Sequence, residues 1–301
     1  MIENLDGADK GSISREGFIP VDGGRVWYQM SGLNADTPLL FLHGGPGFPP
    51  YNFACLETLG DERPVVFYHQ LGCGKSDRPD DPKLWTLERF VNELKTVKGA
   101  LGLDKVHLIG HSWGAALAAE YALNYPEGIE SVIFASPLLS TPKWIKDASR
   151  LKKTLPEEVQ ITIEQSEQNG DTDSEEYKRA MEEFYKRYWC RLSPLPESTK
   201  RTSQEANLDI YKTMWGPSEF YCTGNLKDFD VTKRLHELKM PVLFTCGRYD
   251  EATSETVSEF QNLVEGSRMV VFENSAHHAE LEEKEEFVTS IATFLGQVLI
   301  N

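Results

Sequence analysis

Short apolar runs alternate with amphipathic stretches along the first 137 residues of the chain. Residues 39–42, 65–68 and 106–109 are almost entirely apolar, a pattern typical of parallel strands that are buried on both faces. Residues 86–101 instead place apolar side chains at helical spacing, and Thr86 is a candidate N-cap. This alternation predicts a protein of the α/β class with a mostly parallel, doubly wound sheet.

The alternating pattern is interrupted between residues 138 and 230. This stretch contains charged and aromatic helical segments, such as residues 177–190, and no run that resembles a strand. Residues 165–175 are polar and predict a loop, whose least structured part is residues 169–174. We therefore predict that residues 138–230 are an inserted all-helical cap, and that residues 1–137 and 231–301 together form the α/β core.

Strands and helices alternate again after the insertion. Strands are predicted at residues 241–246 and 268–272, and helices at about residues 254–264 and 282–298. Near the start of the chain, two apolar segments flank Asp22-Gly23-Gly24-Arg25 and predict a β-hairpin that leads into the sheet. A further helix is predicted near residues 51–59.

The segment Gly110-His111-Ser112-Trp113-Gly114 lies between a predicted strand and a predicted helix. A serine between two glycines in this setting is typical of the nucleophile elbow of an α/β-hydrolase fold. The sharp turn holds the serine backbone in a strained conformation, and it leaves no room for side chains at the two glycines. Ser112 is therefore the candidate nucleophile.

A serine hydroxyl needs a base within hydrogen-bond reach and a group that orients this base. In this fold the acid and then the histidine follow the serine, each in a loop after a later strand. Asp250 lies in the first of these loops, and His277 and His278 lie in the second. Neighbouring side chains in an extended loop point in opposite directions, so only one of the two histidines can face Ser112, and spacing does not decide which.

An acyl-transfer reaction also needs amide donors that face the negatively charged oxygen of its intermediate. In this fold one donor is the amide of the residue after the nucleophile, here Trp113. The second comes from the loop that follows the strand at residues 39–42, whose sequence is His43-Gly44-Gly45-Pro46-Gly47. Its glycines allow the bare backbone to approach a substrate.

Composition narrows the possible partners and the compartment. The 301 residues include 47 acidic and 31 basic side chains, for a formal net charge of −16, which disfavours nucleic acid and anionic membrane surfaces. Five scattered cysteines with no zinc-like spacing favour a reducing compartment. Residues 1–6 lack the features of a signal peptide, and no apolar run approaches the ~18 residues of a membrane span. We therefore expect a cytoplasmic protein that needs neither a cofactor nor a metal.

Several motifs together resemble a known family, the prolyl aminopeptidases or proline iminopeptidases, which are α/β-hydrolase serine peptidases. The resemblance extends over nearly the whole chain. Its most specific part is the glycine loop at residues 43–47 combined with the segment at residues 70–77. Besides the glycine loop and the elbow, the matching segments are Gln70-Leu71-Gly72-Cys73-Gly74-Lys75-Ser76-Asp77, Gly216-Pro217-Ser218-Glu219-Phe220 and Gly247-Arg248-Tyr249-Asp250-Glu251.

The resemblance implies an enzyme that releases an N-terminal residue, preferably proline, from short peptides through an acyl-enzyme. It implies that His277 is the catalytic histidine and that Gly45 provides the second oxyanion amide. It also implies that Glu219 and Glu251 bind the free amino terminus of the substrate. The aromatic residues Trp215, Phe220 and Tyr221 are candidate walls of the substrate pocket.

Two positions depart from the family pattern. His69 stands where aspartate is frequent, and Ala115 stands where a second glycine is usual after the elbow. These departures leave the predicted triad intact but bear on the preferred substrate side chain. The alternatives are therefore an amino-acid amidase or esterase with the same triad, and a catalytically silent α/β-hydrolase that binds a small ligand or a partner. The sequence does not predict the oligomeric state.

Overall fold

The computed structural model describes residues 13–32 and 34–298. Within this part of the chain, a single eight-stranded sheet forms the centre of the molecule. Its strands are β1 (Ile13–Val21), β2 (Gly24–Ser31), β3 (Leu39–Leu42), β4 (Val65–Tyr68), β5 (Val106–His111), β6 (Ile129–Ala135), β7 (Val242–Gly247) and β8 (Arg268–Phe272). The N-terminal residues 1–6, for which we expect no signal peptide, lie outside the described residues.

The strand order across the sheet is β1-β2-β4-β3-β5-β6-β7-β8. β1 and β2 form an antiparallel hairpin, and β2 pairs antiparallel with β4. All pairs from β4 to β8 are parallel. The prediction of a mostly parallel α/β sheet entered through a hairpin is confirmed.

Helices cover the sheet and fill the stretch between β6 and β7. Among the described residues they are α1 (Leu87–Leu101), α2 (Trp113–Asn124), α3 (Thr141–Lys152), α4 (Glu157–Asn169), α5 (Glu175–Tyr188), α6 (Glu197–Gln204), α7 (Leu208–Met214), α8 (Ser254–Gln261), α9 (Ala279–Glu282) and α10 (Lys284–Val298). Three 3-10 helices span Tyr51–Asp61, Pro82–Leu84 and Thr232–Glu237. Within the described residues, no helix is long and apolar enough to cross a bilayer.

The short central strands are apolar throughout because both of their faces are covered. In β3, Leu40 and Leu42 belong to the core on one side of the sheet, whereas Leu39 and Phe41 belong to the core on the other side. All four side chains are fully buried. Successive side chains of a strand point to opposite faces, so a strand between two helical layers must be apolar at every position.

Local capping signals set the ends of the core helix α1. The side chain of Thr86 accepts a hydrogen bond from the backbone N–H of Arg89, as expected of an N-cap. Gly102 ends the helix in the left-handed conformation, with φ of 66°. The predicted start at Thr86 and end at Leu101 are therefore both confirmed.

The predicted loop at residues 165–175 is wrong in its first half. α4 continues through Asn169, and Gly170 caps it with φ of 70°. Ile163 is the buried residue of this helix, and the last part of the helix, residues 165–169, is entirely polar and resembles a loop in sequence. Only residues 170–174 connect α4 to α5. The helix predicted from residue 254 ends earlier than expected, at Gln261, and the last helix begins at Lys284, after the separate short helix α9.

Candidate active site

Ser112 occupies a sharp turn between β5 and α2. Its backbone has φ of 55° and ψ of −119°, a region that L-amino acids rarely adopt. The flanking glycines are sterically required. A Cβ atom at Gly110 would lie 2.2 Å from the carbonyl oxygen of Gly114, and one at Gly114 would lie 2.0 Å from the carbonyl oxygen of Leu42. The amide of Ser112 donates to the carbonyl of Ala135 at 3.0 Å, which anchors the turn to β6.

The structure brings Asp250 and His277 together, although 27 residues separate them. Nδ1 of His277 lies 2.7 Å from Oδ1 of Asp250, and both side chains are buried. The Asp250 carboxylate also accepts backbone N–H bonds from Gly247 at 3.3 Å and from Ala252 at 2.8 Å. The carboxylate is thus held in place by its own loop. With Nδ1 bonded to Asp250, His277 has Nε2 available for another group.

The two neighbouring histidines have different partners. Nδ1 of His278 lies 2.5 Å from Oε1 of Glu280, in a pair that is separate from the Asp250 contact. Burial lowers the pKa of His278 to about 3. Burial also lowers the pKa of His277, but Asp250, Glu219 and Glu280 outweigh this effect, and the pKa of His277 is raised above its usual value. Only His277 therefore combines a carboxylate partner with a raised pKa.

The loop that contains His277, residues 273–278 (the base loop), contacts the elbow through His111, the residue before the nucleophile. Nε2 of His111 lies 3.0 Å from the carbonyl oxygen of His277. The rings of these two histidines are 4.6 Å apart. Because His111 and Ser112 are adjacent in the chain, these contacts bring the backbone of His277 close to the nucleophile elbow.

The glycine loop and the elbow are joined by Gln70, a residue that the sequence analysis treated only as part of a motif. The side-chain amide of Gln70 donates to the carbonyl of His43 at 3.1 Å, and its oxygen accepts from the indole N–H of Trp113 at 2.9 Å. The Gln70 backbone N–H donates to Nε2 of His43 at 2.9 Å. Gly45 has φ of 112°, where a Cβ atom would lie 2.7 Å from the amide nitrogen of Gly47. The two segments with the predicted oxyanion amides are therefore cross-linked to each other.

Glu219 and Glu251 form an acidic pair that interacts with the catalytic loop, and of the two Glu251 is buried whereas Glu219 is partly exposed. Glu251 is 1% exposed, and its Oε2 has no hydrogen-bond partner. Oε1 of Glu219 accepts a 2.6 Å hydrogen bond from the hydroxyl of Tyr211. Burial, together with the charges of Glu219 and Asp250, raises the pKa of Glu251 well above its usual value. Burial also raises the pKa of Glu219. The pair therefore contains one buried oxygen without a partner, Oε2 of Glu251.

The three aromatic candidates for pocket walls have different environments. Trp215 is buried and its ring is 6.1 Å from that of Trp144, which in turn packs edge-on against His277 at 5.7 Å. Phe220 is buried and packs against Phe184 at 5.0 Å, and Tyr221 is exposed. Of the three, Trp215 is thus connected to the histidine through a second indole.

One group of potential metal ligands occurs in the described part of the chain. It consists of His111, His278 and Glu280, whose ligand atoms lie within 4.8 Å of one another. The 2.5 Å separation of His278 and Glu280 is a hydrogen-bond distance, whereas tetrahedral zinc with bonds near 2.1 Å holds its ligand atoms about 3.4 Å apart. We therefore interpret the group as a hydrogen-bonded cluster and assign no metal to it.

Comparison with known proteins gives consistent matches. Residues 37–284 match the family model of the alpha/beta hydrolase fold. A proline iminopeptidase of Heyndrickxia coagulans is 51% identical over 285 residues, which cover 94% of this chain and 99% of that protein. The crystal structure of a proline iminopeptidase from Mycobacterium smegmatis has a TM-score of 0.87 at 35% identity, covering 94% of this chain and 98% of that one. The crystal structure of VinJ has a TM-score of 0.91 at 35% identity, covering 95% and 100%.

Proposed function

The chain belongs to the proline iminopeptidases of the alpha/beta hydrolase fold, and on this premise we propose how its residues divide the work of a serine aminopeptidase. Ser112 is the nucleophile, His277 is the general base, and Asp250 orients the histidine. The substrate is a short peptide with a free amino terminus and, by preference, an N-terminal proline. We further propose that α3 to α7 form a cap over the site, within residues 138–230, and that the protein is cytoplasmic.

The proposed reaction follows the two-step course of acyl transfer. Nε2 of His277 takes the proton of the Ser112 hydroxyl while the oxygen attacks the carbonyl carbon of the first residue. The tetrahedral oxyanion accepts hydrogen bonds from the amides of Gly45 and Trp113. His277 then gives its proton to the leaving amine of the second residue. Water, activated by the same histidine, hydrolyses the acyl-enzyme and releases the free amino acid.

Asp250 supports this cycle by its bond to Nδ1 of His277. The bond holds the imidazole in the tautomer that leaves Nε2 free to accept a proton. The negative charge also stabilises the imidazolium that forms when the serine proton is transferred. The 2.7 Å contact between buried groups provides the support for both roles.

The observation that carries the substrate assignment is the buried carboxylate oxygen of Glu251 with no partner. An unpaired buried polar group is costly, and a charged one is more so. A substrate ammonium would supply donors to Glu251 and to the neighbouring Glu219. An internal residue of a peptide has no such group, so this pair would select the first residue of a chain. Glu251 directly follows Asp250, which places the amine site next to the catalytic loop.

The test uses the variants Glu251→Gln and Glu219→Gln with two substrates, a prolyl anilide and a neutral acyl ester without an amine. Removing one partner of a buried ion pair costs about 3–5 kcal/mol, so kcat/KM for the anilide should fall by roughly 100-fold or more. The ester reaction should change little. Glu285→Gln, in the first turn of α10, is the control for the charge change alone.

Equal losses on both substrates would show that the two glutamates support the fold and do not bind an amine. Ser112→Ala should abolish both reactions. If the wild type hydrolyses the ester far faster than a prolyl anilide or amide, and a free amine gives no advantage, the activity is that of an esterase and not of a peptidase.

A further inference from the structure

The carbonyl oxygen of His277 accepts hydrogen bonds from two buried side chains at the edge of the sheet. Nε2 of His111 lies 3.0 Å from this oxygen, and Oγ of Ser136 donates to it at 3.2 Å. His111 is the last residue of β5, and Ser136 directly follows β6. His277 itself lies between β8 and α9, outside both elements. The backbone of the proposed base is therefore held by side chains at the carboxyl ends of two central strands.

We propose that His111 and Ser136 are positioning residues, which clamp the main chain of His277 and thereby set the distance between the base and the nucleophile. This proposal rests on the proposed roles of Ser112 and His277. It assigns a task to two polar residues that the sequence analysis did not connect with the reaction. His111 is part of the elbow motif, and Ser136 lies in none of the motifs that resemble the family.

The same strand ends also hold the nucleophile. The amide of Ser112 donates to the carbonyl of Ala135 at 3.0 Å, and the amide of Leu138 donates to the carbonyl of Ser112 at 3.2 Å. Ser136 lies between these two anchoring residues, and its own amide donates to Thr245 of β7 at 2.7 Å. Ser112 and His277 are thus both hydrogen-bonded to residues 135–138. A shift of one relative to the other would break buried hydrogen bonds.

The conformation of Ser136 is consistent with a required position for its hydroxyl. Its φ is 46°, and Ser112 is the other non-glycine residue with positive φ in the described part of the chain. Non-glycine residues persist in such conformations where the surrounding structure over-determines them, often at functional sites. Both strained serines lie at the carboxyl ends of adjacent strands.

The environment of His111 determines which of its nitrogens carries the proton. A carbonyl oxygen only accepts, so Nε2 of His111 must be protonated to form this bond. Burial, reinforced by the neighbouring His277 and His278, lowers the pKa of His111 well below its usual value. The ring is therefore neutral, with its single proton directed at the carbonyl. It is wedged 4.8 Å from Phe53 and 5.1 Å from His278, which limits its rotation.

The position of the base loop matters because acyl transfer is sensitive to geometry. Misplacing a reacting group by about 1 Å can reduce the rate by roughly 100-fold. Residues 273–278 form turns without a ladder of backbone hydrogen bonds. Asp250 orients the histidine ring, and the flanking backbone is tied by the amide of Ala276 to Glu282 at 2.6 Å and by the carbonyl of His278 to the amide of Leu281 at 3.0 Å. The carbonyl of His277 itself is held by the clamp.

The test compares His111→Gln with His111→Met in the full-length protein. These side chains have similar length and volume, but only glutamine offers an N–H donor. With a prolyl anilide, His111→Met should lower kcat by about 10- to 100-fold and leave KM within threefold, since Glu219 and Glu251 are untouched. His111→Gln should recover most of the lost kcat. Ser136→Ala should give a smaller loss of kcat, also without a change in KM.

Thermal unfolding of each variant shows whether a loss of activity follows a loss of structure. If His111→Met does not fold, the comparison of Ser136→Ala with the wild type carries the test. Equal kcat for His111→Gln and His111→Met, or wild-type kcat in Ser136→Ala when His111→Met does not fold, would overturn the proposal. Ser112→Ala distinguishes a failure of the proposed mechanism from a failure of the clamp. If Ser112→Ala stays active, the proposed mechanism fails. If it is inactive but the two His111 variants have equal kcat, only the clamp is rejected.

Discussion

The same substitution, glycine to alanine, should have opposite effects at two helical positions of this protein. Gly99 lies in α1, and a Cβ atom there would have no heavy atom within 4 Å. Gly114 lies in the first turn of α2, where a Cβ atom would be 2.0 Å from the carbonyl oxygen of Leu42 and 2.8 Å from that of His43. The pair therefore separates helix propensity from steric conflict.

The expected change in stability at each position follows from its environment. Alanine is favoured over glycine in a helix by about 1 kcal/mol, so Gly99→Ala should stabilise the protein by up to this amount. At Gly114 the nearest backbone oxygen is about 1.4 Å closer than the 3.4 Å at which ordinary contact begins. Leu42 belongs to the fully buried strand β3 and cannot retreat easily. Overpacking costs about 1–3 kcal/mol, and we expect Gly114→Ala at or above the upper end.

The steric clash in Gly114→Ala should also lower the activity. Leu42 and His43 lead into the glycine loop that contains Gly45, so separating α2 from β3 would displace one proposed oxyanion amide. A displacement of about 1 Å can cost roughly 100-fold in rate. Urea unfolding and hydrolysis of a prolyl anilide measure the two effects. If Gly114→Ala were as stable and as active as Gly99→Ala, the steric account of the elbow would be refuted.

Two further results are expected. The raised pKa of His277 predicts that kcat/KM falls toward acid pH with an apparent pKa above 6.5, because the base must be unprotonated. Asp250→Asn should move this acid limb of the pH profile to lower pH and reduce kcat by about 10,000-fold. A limb at or below 6.5, or one that Asp250→Asn leaves in place, would contradict the role of the aspartate. Thr86→Ala removes the cap bond to the backbone of Arg89 and should lower the free energy of unfolding by about 1 kcal/mol, with unchanged catalytic constants; unchanged stability would show that the cap contributes nothing.

The parts of the fold that depend on local chemistry could be predicted from the sequence. The apolar run of β3 reflects burial on both faces, and the glycines around Ser112 reflect a turn that only they allow. The end of α4 was misplaced because residues 165–169 are all polar and none of them is buried, so the last part of the helix has no apolar periodicity and looks like a loop in sequence.

Partners that come from distant segments could not be predicted from spacing. Sequence spacing did not distinguish His277 from His278, whereas the contact with Asp250 distinguishes them at once. The resemblance to the family had pointed to His277, and through Gly45, Glu219 and Glu251 it gave the other candidate residues. The bonds of Gln70 and Ser136 lay beyond both approaches, because they depend on how separate strand ends meet.

The number of carboxyl groups around His277 raises a question of charge balance. Asp250, Glu219 and Glu280 act directly on His277, and the fourth, Glu251, interacts with Glu219 and Asp250. If all four were ionised, their negative charge would raise the pKa of His277 further and favour its protonated form. Burial raises the pKa values of Glu251 and Glu280 well above their usual range, which favours their neutral forms and limits the negative charge near the base.

In the proposed mechanism the substrate itself completes this balance. An arriving ammonium brings one positive charge to the pair formed by Glu219 and Glu251, and it favours the ionised form of Glu251 by direct attraction. The proton that burial holds on Glu251 can then leave without adding net charge beside His277. A ligand without an amine would leave that proton in place and would offer no donor to Oε2 of Glu251. Recognition of the free amino terminus and the readiness of the catalytic base would thus depend on the same buried carboxyl group.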